Sequence, residues 1–144
     1  MALQLVARDL SHIMMEKLTA PLVLVVDDEG LIRWALRKAL LALGCEVREA
    51  GDARSALLAS AEADTRFDAV LLDLKLPDSD GLSLLAAVKA RQPAARLILM
   101  TAFGTEETQA EAIALGACRV IRKPFDVKAV AAMVLDGCQP VAGG

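Results

Sequence analysis

From residue 22 onward, short β-branched apolar runs alternate with alanine- and leucine-rich segments whose apolar positions recur at helical spacing. The runs predict strands near 22–26 (LVLVV), 46–50 (EVREA), 69–73 (AVLLD), 96–100 (RLILM) and 119–122 (RVIR). The intervening segments predict helices near 30–43, 53–62, 81–91, 106–115 and 126–136. The first, third and fourth runs are almost wholly apolar, as parallel strands are when helices cover both sheet faces. The second and fifth carry charge, which assigns them to the sheet edges. Gly44 and Gly116 stand where helix ends need a positive φ, and Asp52 and Asp80 stand where an N-cap accepts backbone N–H bonds. Short connections and right-handed crossovers then give an α/β fold, a doubly wound five-stranded parallel sheet of order 2-1-3-4-5.

Residues 1–20 precede this alternation, and Leu3, Val6, Leu10, Ile13, Met14 and Leu18 fall on one helical face. They predict an N-terminal helical extension, either a packed arm or a helix that contacts a partner or a second copy. The domain proper is expected over 21–137, followed by a flexible tail over 138–144 with the loop-like ending QPVAGG.

Composition narrows the class. A chain of 144 residues, 56% hydrophobic and 24% charged, has the make-up of one globular domain with its own core. A net charge of -3 offers no basic footprint, which argues against direct nucleic-acid binding. No apolar run approaches the roughly 20 residues that span a bilayer. Arg8, Asp9, Glu16 and Lys17 interrupt the region where an export signal would lie. A cytoplasmic protein without a membrane partner is expected. Cys45, Cys118 and Cys138 lack any CxxC spacing, and the expectation is three free thiols in a reducing compartment.

The candidate chemistry sits at the ends of the strands. Asp27 and Asp28 close the first, and Asp73 closes the third, its neighbour in this order. Ligands of open α/β sheets bind beyond the carboxyl ends of the strands, where the strand order reverses. Three carboxylates converging there are costly unless a cation joins them, and an all-oxygen set suits a hard ion such as Mg²⁺. The acidic pair alone would also fit a solvated helix N-terminus. Thr101 follows the fourth strand and Lys123 the fifth. A hydroxyl and an ammonium beside a metal-bound carboxylate are the groups that hold a transferred phosphoryl, with the carboxylate as nucleophile. Singly, Thr101 reads as a helix cap and Lys123 as a surface lysine, but five such residues at successive strand ends are hard to assign to caps.

The pieces VVDDE, VLLDLKLPDSDGL, MTAFG, LGA and KPF occur in an order and spacing that resembles the receiver domains of two-component response regulators, over about 20–136. The resemblance implies a flavodoxin-like fold and a signalling phosphoacceptor rather than an enzyme with a separate substrate. It implies that Asp73 accepts a phosphoryl group from a sensor histidine kinase or phosphotransfer protein. Asp28 would contact Mg²⁺ directly, Asp27 through water, and the main-chain carbonyl of Lys75 would be a further ligand. Thr101 and Lys123 would bind the phosphoryl oxygens, and the bond before Pro124 would be cis. Signal would leave through the fourth helix, fifth strand and fifth helix. Glu106, Glu107 and Glu111 there lie alongside Arg119, Arg122 and Lys128, either as ordinary solvated faces or as the matching charges of a homodimer.

The chain departs from the family at Val120, where many members carry an aromatic switch residue, and it has no tyrosine. Phe103 is expected either to make an ordinary hydrophobic contact or to take over part of the coupling, and Lys75 and Phe103 flank the expected path of hydrolytic water. DDEGLIRWAL and MTAFGTEETQAEAIALGA look most like receivers that precede the ATPase domains of bacterial enhancer-binding transcription activators. An aspartyl-nucleophile phosphatase would want Asp-x-Asp, but residue 75 is Lys, and a flavin carrier would need a hydroxyl- and glycine-rich loop after the first strand. The remaining alternative is a receiver-shaped interaction module that works without phosphate, hinted at by Val120 and the N-terminal segment.

Overall fold

The computed structural model describes residues 19–136. Most of the expected N-terminal helix and the expected tail, with Cys138, lie outside the described residues. The elements run β1 (Leu22–Val26), α1 (Gly30–Ala42), β2 (Glu46–Ala50), α2 (Ala53–Ala61), β3 (Ala69–Asp73), α3 (Leu82–Arg91), β4 (Arg96–Thr101), α4 (Glu106–Ala114), β5 (Ala117–Arg122) and α5 (Val127–Asp136). The strands form one parallel sheet in the expected order β2-β1-β3-β4-β5, with β2 and β5 at its edges. The fold is flavodoxin-like.

Alternation within each strand splits the core into two layers. Leu24, Val26, Val70, Leu72, Leu97 and Leu99 face α2, α3 and α4, meeting Ala56, Leu84, Leu85, Val88 and Ala112. Val23, Val25, Leu71, Ile98 and Met100 face α1 and α5, meeting Leu36, Leu40, Val130, Ala131 and Val134. Both faces of β1, β3 and β4 are therefore dry, which is why those runs are apolar without alternation.

Register brings the strand ends to one edge: Val26 lies opposite Ala50 and Leu72, Asp73 opposite Met100, and Thr101 opposite Arg122. β5 begins at Ala117, earlier than the expected residue 119. Ala117 pairs with Leu97 ahead of a register shift between Leu97 and Ile98, and a break of that kind leaves no periodic trace in the sequence.

Capping explains the helix starts. Asp52 accepts from the Ser55 N–H at 2.7 Å, and Asp80 accepts from the Ser83 N–H at 2.9 Å. A second acid, Asp78 in the β3–α3 loop, takes the Ala53 and Arg54 N–H groups at 2.8 and 3.1 Å, so the loop after Asp73 is fastened to the first turn of α2. Gly81 has φ +86°, and an added Cβ would collide with the carbonyl oxygen of Leu74. Only glycine fits that turn.

Cys45 is free and buried, as expected, whereas Cys118 is disulfide-bonded, which corrects the expectation of three free thiols. Spacing along the chain does not report which sulfurs the fold brings within bonding distance. Among the described residues no helix is long and apolar enough to cross a membrane.

Candidate functional site

The site grows from the carboxyl ends of β1, β3, β4 and β5. Asp27 continues β1, its N–H bonded to the Ala50 carbonyl at 3.1 Å, and its side chain is fully buried. Its Oδ1 accepts from the Glu29 N–H at 2.9 Å, which turns the chain into α1. Asp28, one residue on, is exposed. Asp73, the buried last residue of β3, accepts from the Lys75 N–H through Oδ1 at 3.1 Å. Carboxylate oxygens of Asp27, Asp28 and Asp73 lie within 4.8 Å of one another.

The basic and hydroxyl groups arrive from the other side. Lys123 follows β5, its N–H donating to the Thr101 carbonyl at 2.8 Å, and the Lys123–Pro124 bond is cis. Its ammonium donates to Asp27 Oδ2 at 2.7 Å and reaches Glu29 Oε1 and Asp73 Oδ2, each at 3.4 Å. Thr101 is buried at the end of β4, and its Oγ1 accepts from the Phe103 N–H at 3.1 Å. A cleft of about 610 Å³ opens over the group, lined by Asp28, Asp73, Lys75, Thr101 and Lys123 among others. The structure thus brings together all six residues singled out in the sequence: Asp27, Asp28, Asp73, Lys75, Thr101 and Lys123.

Burial pushes the Asp73 carboxyl up to about 6 from an ordinary 3.8, and the Asp27 charge pushes the same way, against the Lys75 N–H and the Lys123 ammonium. Burial also works against the charge on Lys123, but its hydrogen bond to Asp27 and the charges of Asp73, Asp27 and Glu29 outweigh it and hold the ammonium above the usual lysine value. One ammonium faces the carboxyl groups of Asp27, Asp73 and Glu29, with Asp28 beside them, so acids outnumber bases in the cluster. Its donors are all oxygen and converge from two adjacent strands, and one of them, Asp28, is open to solvent. That set fits a hard divalent cation that keeps part of its water shell.

Around this centre lie further groups. Glu29 joins Lys123 from the start of α1. Arg122 donates to the Gly104 carbonyl at 2.9 Å and so ties β5 to the β4–α4 loop. Phe103 is 80% exposed rather than held in an ordinary hydrophobic contact, and the Lys75 ammonium stands 5.6 Å from the centre of its ring. The Phe103 N–H bond to Thr101 holds the loop so that the ring projects over the cleft rather than into the sheet. Val120 packs partly buried against the α2–α4 layer.

Residues 23–135 match the family model of the response regulator receiver domain. The DNA-binding transcriptional regulator NtrC of Azospirillum brasilense is 38% identical over 117 residues, which cover 81% of this chain and 24% of that protein. The chain thus spans about a quarter of the length of the curated relatives it matches. Among solved structures, a CheY-like receiver domain protein from Methanospirillum hungatei superposes with a TM-score of 0.77 at 26% identity, covering 82% of this chain and 93% of that one. A response regulator protein from Burkholderia pseudomallei, solved with a phosphorylated aspartic acid, a calcium ion and citrate, gives 0.71 at 28% identity, covering 81% and 71%. The strand order, the clustered acids and a family match across most of the chain lead to one conclusion: this chain belongs to the response regulator receiver domain family.

Proposed function

We propose that this receiver takes a phosphoryl group on Asp73 from the phosphohistidine of a sensor kinase or phosphotransfer protein, with Mg²⁺ held by Asp27, Asp28, Asp73 and the main-chain carbonyl of Lys75. The observation that carries the reading is the convergence of three carboxylates within 4.8 Å beneath an ammonium that already reaches Asp73. In the reaction an Asp73 oxygen forms the new P–O bond while the P–N bond to the donor imidazole breaks, and the product is an acyl phosphate. When bound, Mg²⁺ offsets the negative charge shared by carboxylate and phosphoryl oxygens, so that two anions can approach. Lys123 needs to travel little to pass from the carboxylate to a phosphoryl oxygen. Thr101 keeps the Phe103 N–H on its oxygen and donates its hydroxyl proton to the phosphoryl group, so any shift of Thr101 is passed to the β4–α4 loop.

The signal then leaves through α4, β5 and α5. Glu106, Glu107 and Glu111 lie on α4, Arg119 and Arg122 on β5, and Lys128 on α5, so a second copy can set acids against bases. Phosphorylation-dependent pairing through this surface belongs to the same proposal, as does a cytoplasmic location beside the kinase. So does control of a transcriptional output, the role that the name of the Azospirillum relative carries. The chain would act as a phosphoacceptor that catalyses only its own phosphorylation and dephosphorylation.

The test is intact-protein mass after incubation with acetyl phosphate, with Mg²⁺ or with chelator, beside Asp73→Asn. Gain of one phosphoryl group that needs both Mg²⁺ and Asp73 is the expected result. No gain with acetyl phosphate or with phosphorylated kinases contradicts the proposal and favours the phosphate-independent interaction module, the reading to which Val120 points.

A further inference from the structure

We propose that Arg33 is a positioning residue for the acidic cluster, fixing the peptide between Asp27 and Asp28 and thereby aiming the Asp28 carboxylate at the metal. The inference rests on the reading of that cluster as a divalent-cation site. Asp27 and Asp73 each accept a backbone N–H within their own loops, at 2.9 and 3.1 Å. The Asp28 carboxylate has no such bond to a described residue, so its place depends most directly on where the backbone sets its Cα and Cβ. Because the peptide unit is planar, holding the Asp27 carbonyl also holds the Asp28 nitrogen.

Arg33 provides that hold. It lies in the first turn of α1, and its Nη1 donates to the Asp27 carbonyl at 2.5 Å. Its Nε stands 3.5 Å from Glu49 Oε1 on β2, while the other oxygen of Glu49 meets Arg37 at 3.4 Å. The guanidinium therefore bridges the ends of β1 and β2 behind the acids. Gly51 leaves room for it: a Cβ added there would lie 3.3 Å from Nη1, close enough that the guanidinium would have to give by a few tenths of an ångström. A planar fork that satisfies a carbonyl and a carboxylate together is a geometry lysine cannot copy.

The test is titration of the full chain with Mg²⁺ alone, by calorimetry, on the wild type, Arg33→Ala, Arg33→Lys and Gly51→Ala, with thermal unfolding to establish that each is folded. Groups that orient metal ligands typically cost 10–100-fold in affinity when removed, and about tenfold weaker Mg²⁺ binding is expected for Arg33→Ala. Arg33→Lys should recover part of the loss, and Gly51→Ala, which asks the guanidinium to give by only a few tenths of an ångström, should weaken binding by less than Arg33→Ala. In acetyl phosphate reactions the Mg²⁺ concentration for half-maximal rate should rise for Arg33→Ala, with the rate at saturating Mg²⁺ within about twofold of wild type. If Arg33→Ala does not fold, Arg33→Lys, expected to bind Mg²⁺ more weakly than wild type, decides in the same titration. Wild-type affinity in the folded variants, or a lower saturating rate at unchanged Mg²⁺ affinity, overturns the inference. A wild type that binds no Mg²⁺ overturns the metal site itself, and the inference with it.

Discussion

Asp73 is held by burial at about 6 where an ordinary aspartate titrates at 3.8. The folded chain therefore binds this proton more tightly than the unfolded chain. Between about pH 4 and 6 it carries more of that proton, so the contribution of Asp73 to stability falls as pH rises through the window, and the full cost remains above it. Asp73→Asn removes the cost. Without divalent cations, urea unfolding at pH 7.5 is expected to find the variant more stable by up to about 3 kcal/mol, a gain that disappears near pH 4. A difference independent of pH would contradict this origin. Gly81 is the opposite case, a residue whose lack of a side chain is structural. Gly81→Ala forces a Cβ onto the Leu74 carbonyl at a positive φ, and a loss of roughly 2 kcal/mol or more is expected in the same assay.

At the scale of elements, the β3–α3 loop matters because it carries Lys75 from the end of β3 across the cleft. Asp78 anchors it on the start of α2, where it takes two N–H groups that the Asp52 cap leaves over. Asp78→Ala should cost about 1–2 kcal/mol, as the loss of a helix cap does, and should raise amide exchange at Ala53 and Arg54 while leaving Ser55 protected by Asp52. Equal loosening of all three would mean that Asp78 is not a separate cap. This bond also marks how far the sequence can be read. Asp52 was legible as an N-cap because it bonds a residue three positions on, within its own turn, and Asp80 does the same from one residue ahead of the N-cap, Gly81. Asp78 acts on a helix 25 residues earlier, and no local spacing records that. The same holds for Gln92, buried with its side chain on Ser60, Thr65 and Phe67, and for Arg33, whose partners come from two strands. The acids, Thr101 and Lys123 were legible because the fold places strand ends together and each is the first polar residue after an apolar run. Phe103 was expected to make an ordinary hydrophobic contact, but its loop leaves the ring exposed, and loop direction has no periodic trace in the sequence.

For the whole molecule, the sheet carries a separate core on each face, and the site stands at the edge where β4 leads to α4 and β5 leads to α5. Arg122 on the Gly104 carbonyl and Thr101 on the Phe103 N–H are the links that would carry a shift to α4. If the acids of α4 meet the bases of β5 and α5 in a second copy, light scattering should give a larger mass after phosphorylation. Added salt should reduce it, since exposed pairs are screened within about 10 Å at 0.1 M. An unchanged mass contradicts pairing and leaves phosphorylation of Asp73 standing. That phosphorylation is tested most directly by reducing the phosphorylated chain with borohydride, which converts an aspartyl phosphate to homoserine, and sequencing the peptides. Homoserine at position 73, and at no other carboxylate, is the expected result. Homoserine elsewhere, or phosphoryl gain with Asp73 recovered intact, would contradict Asp73 as the acceptor.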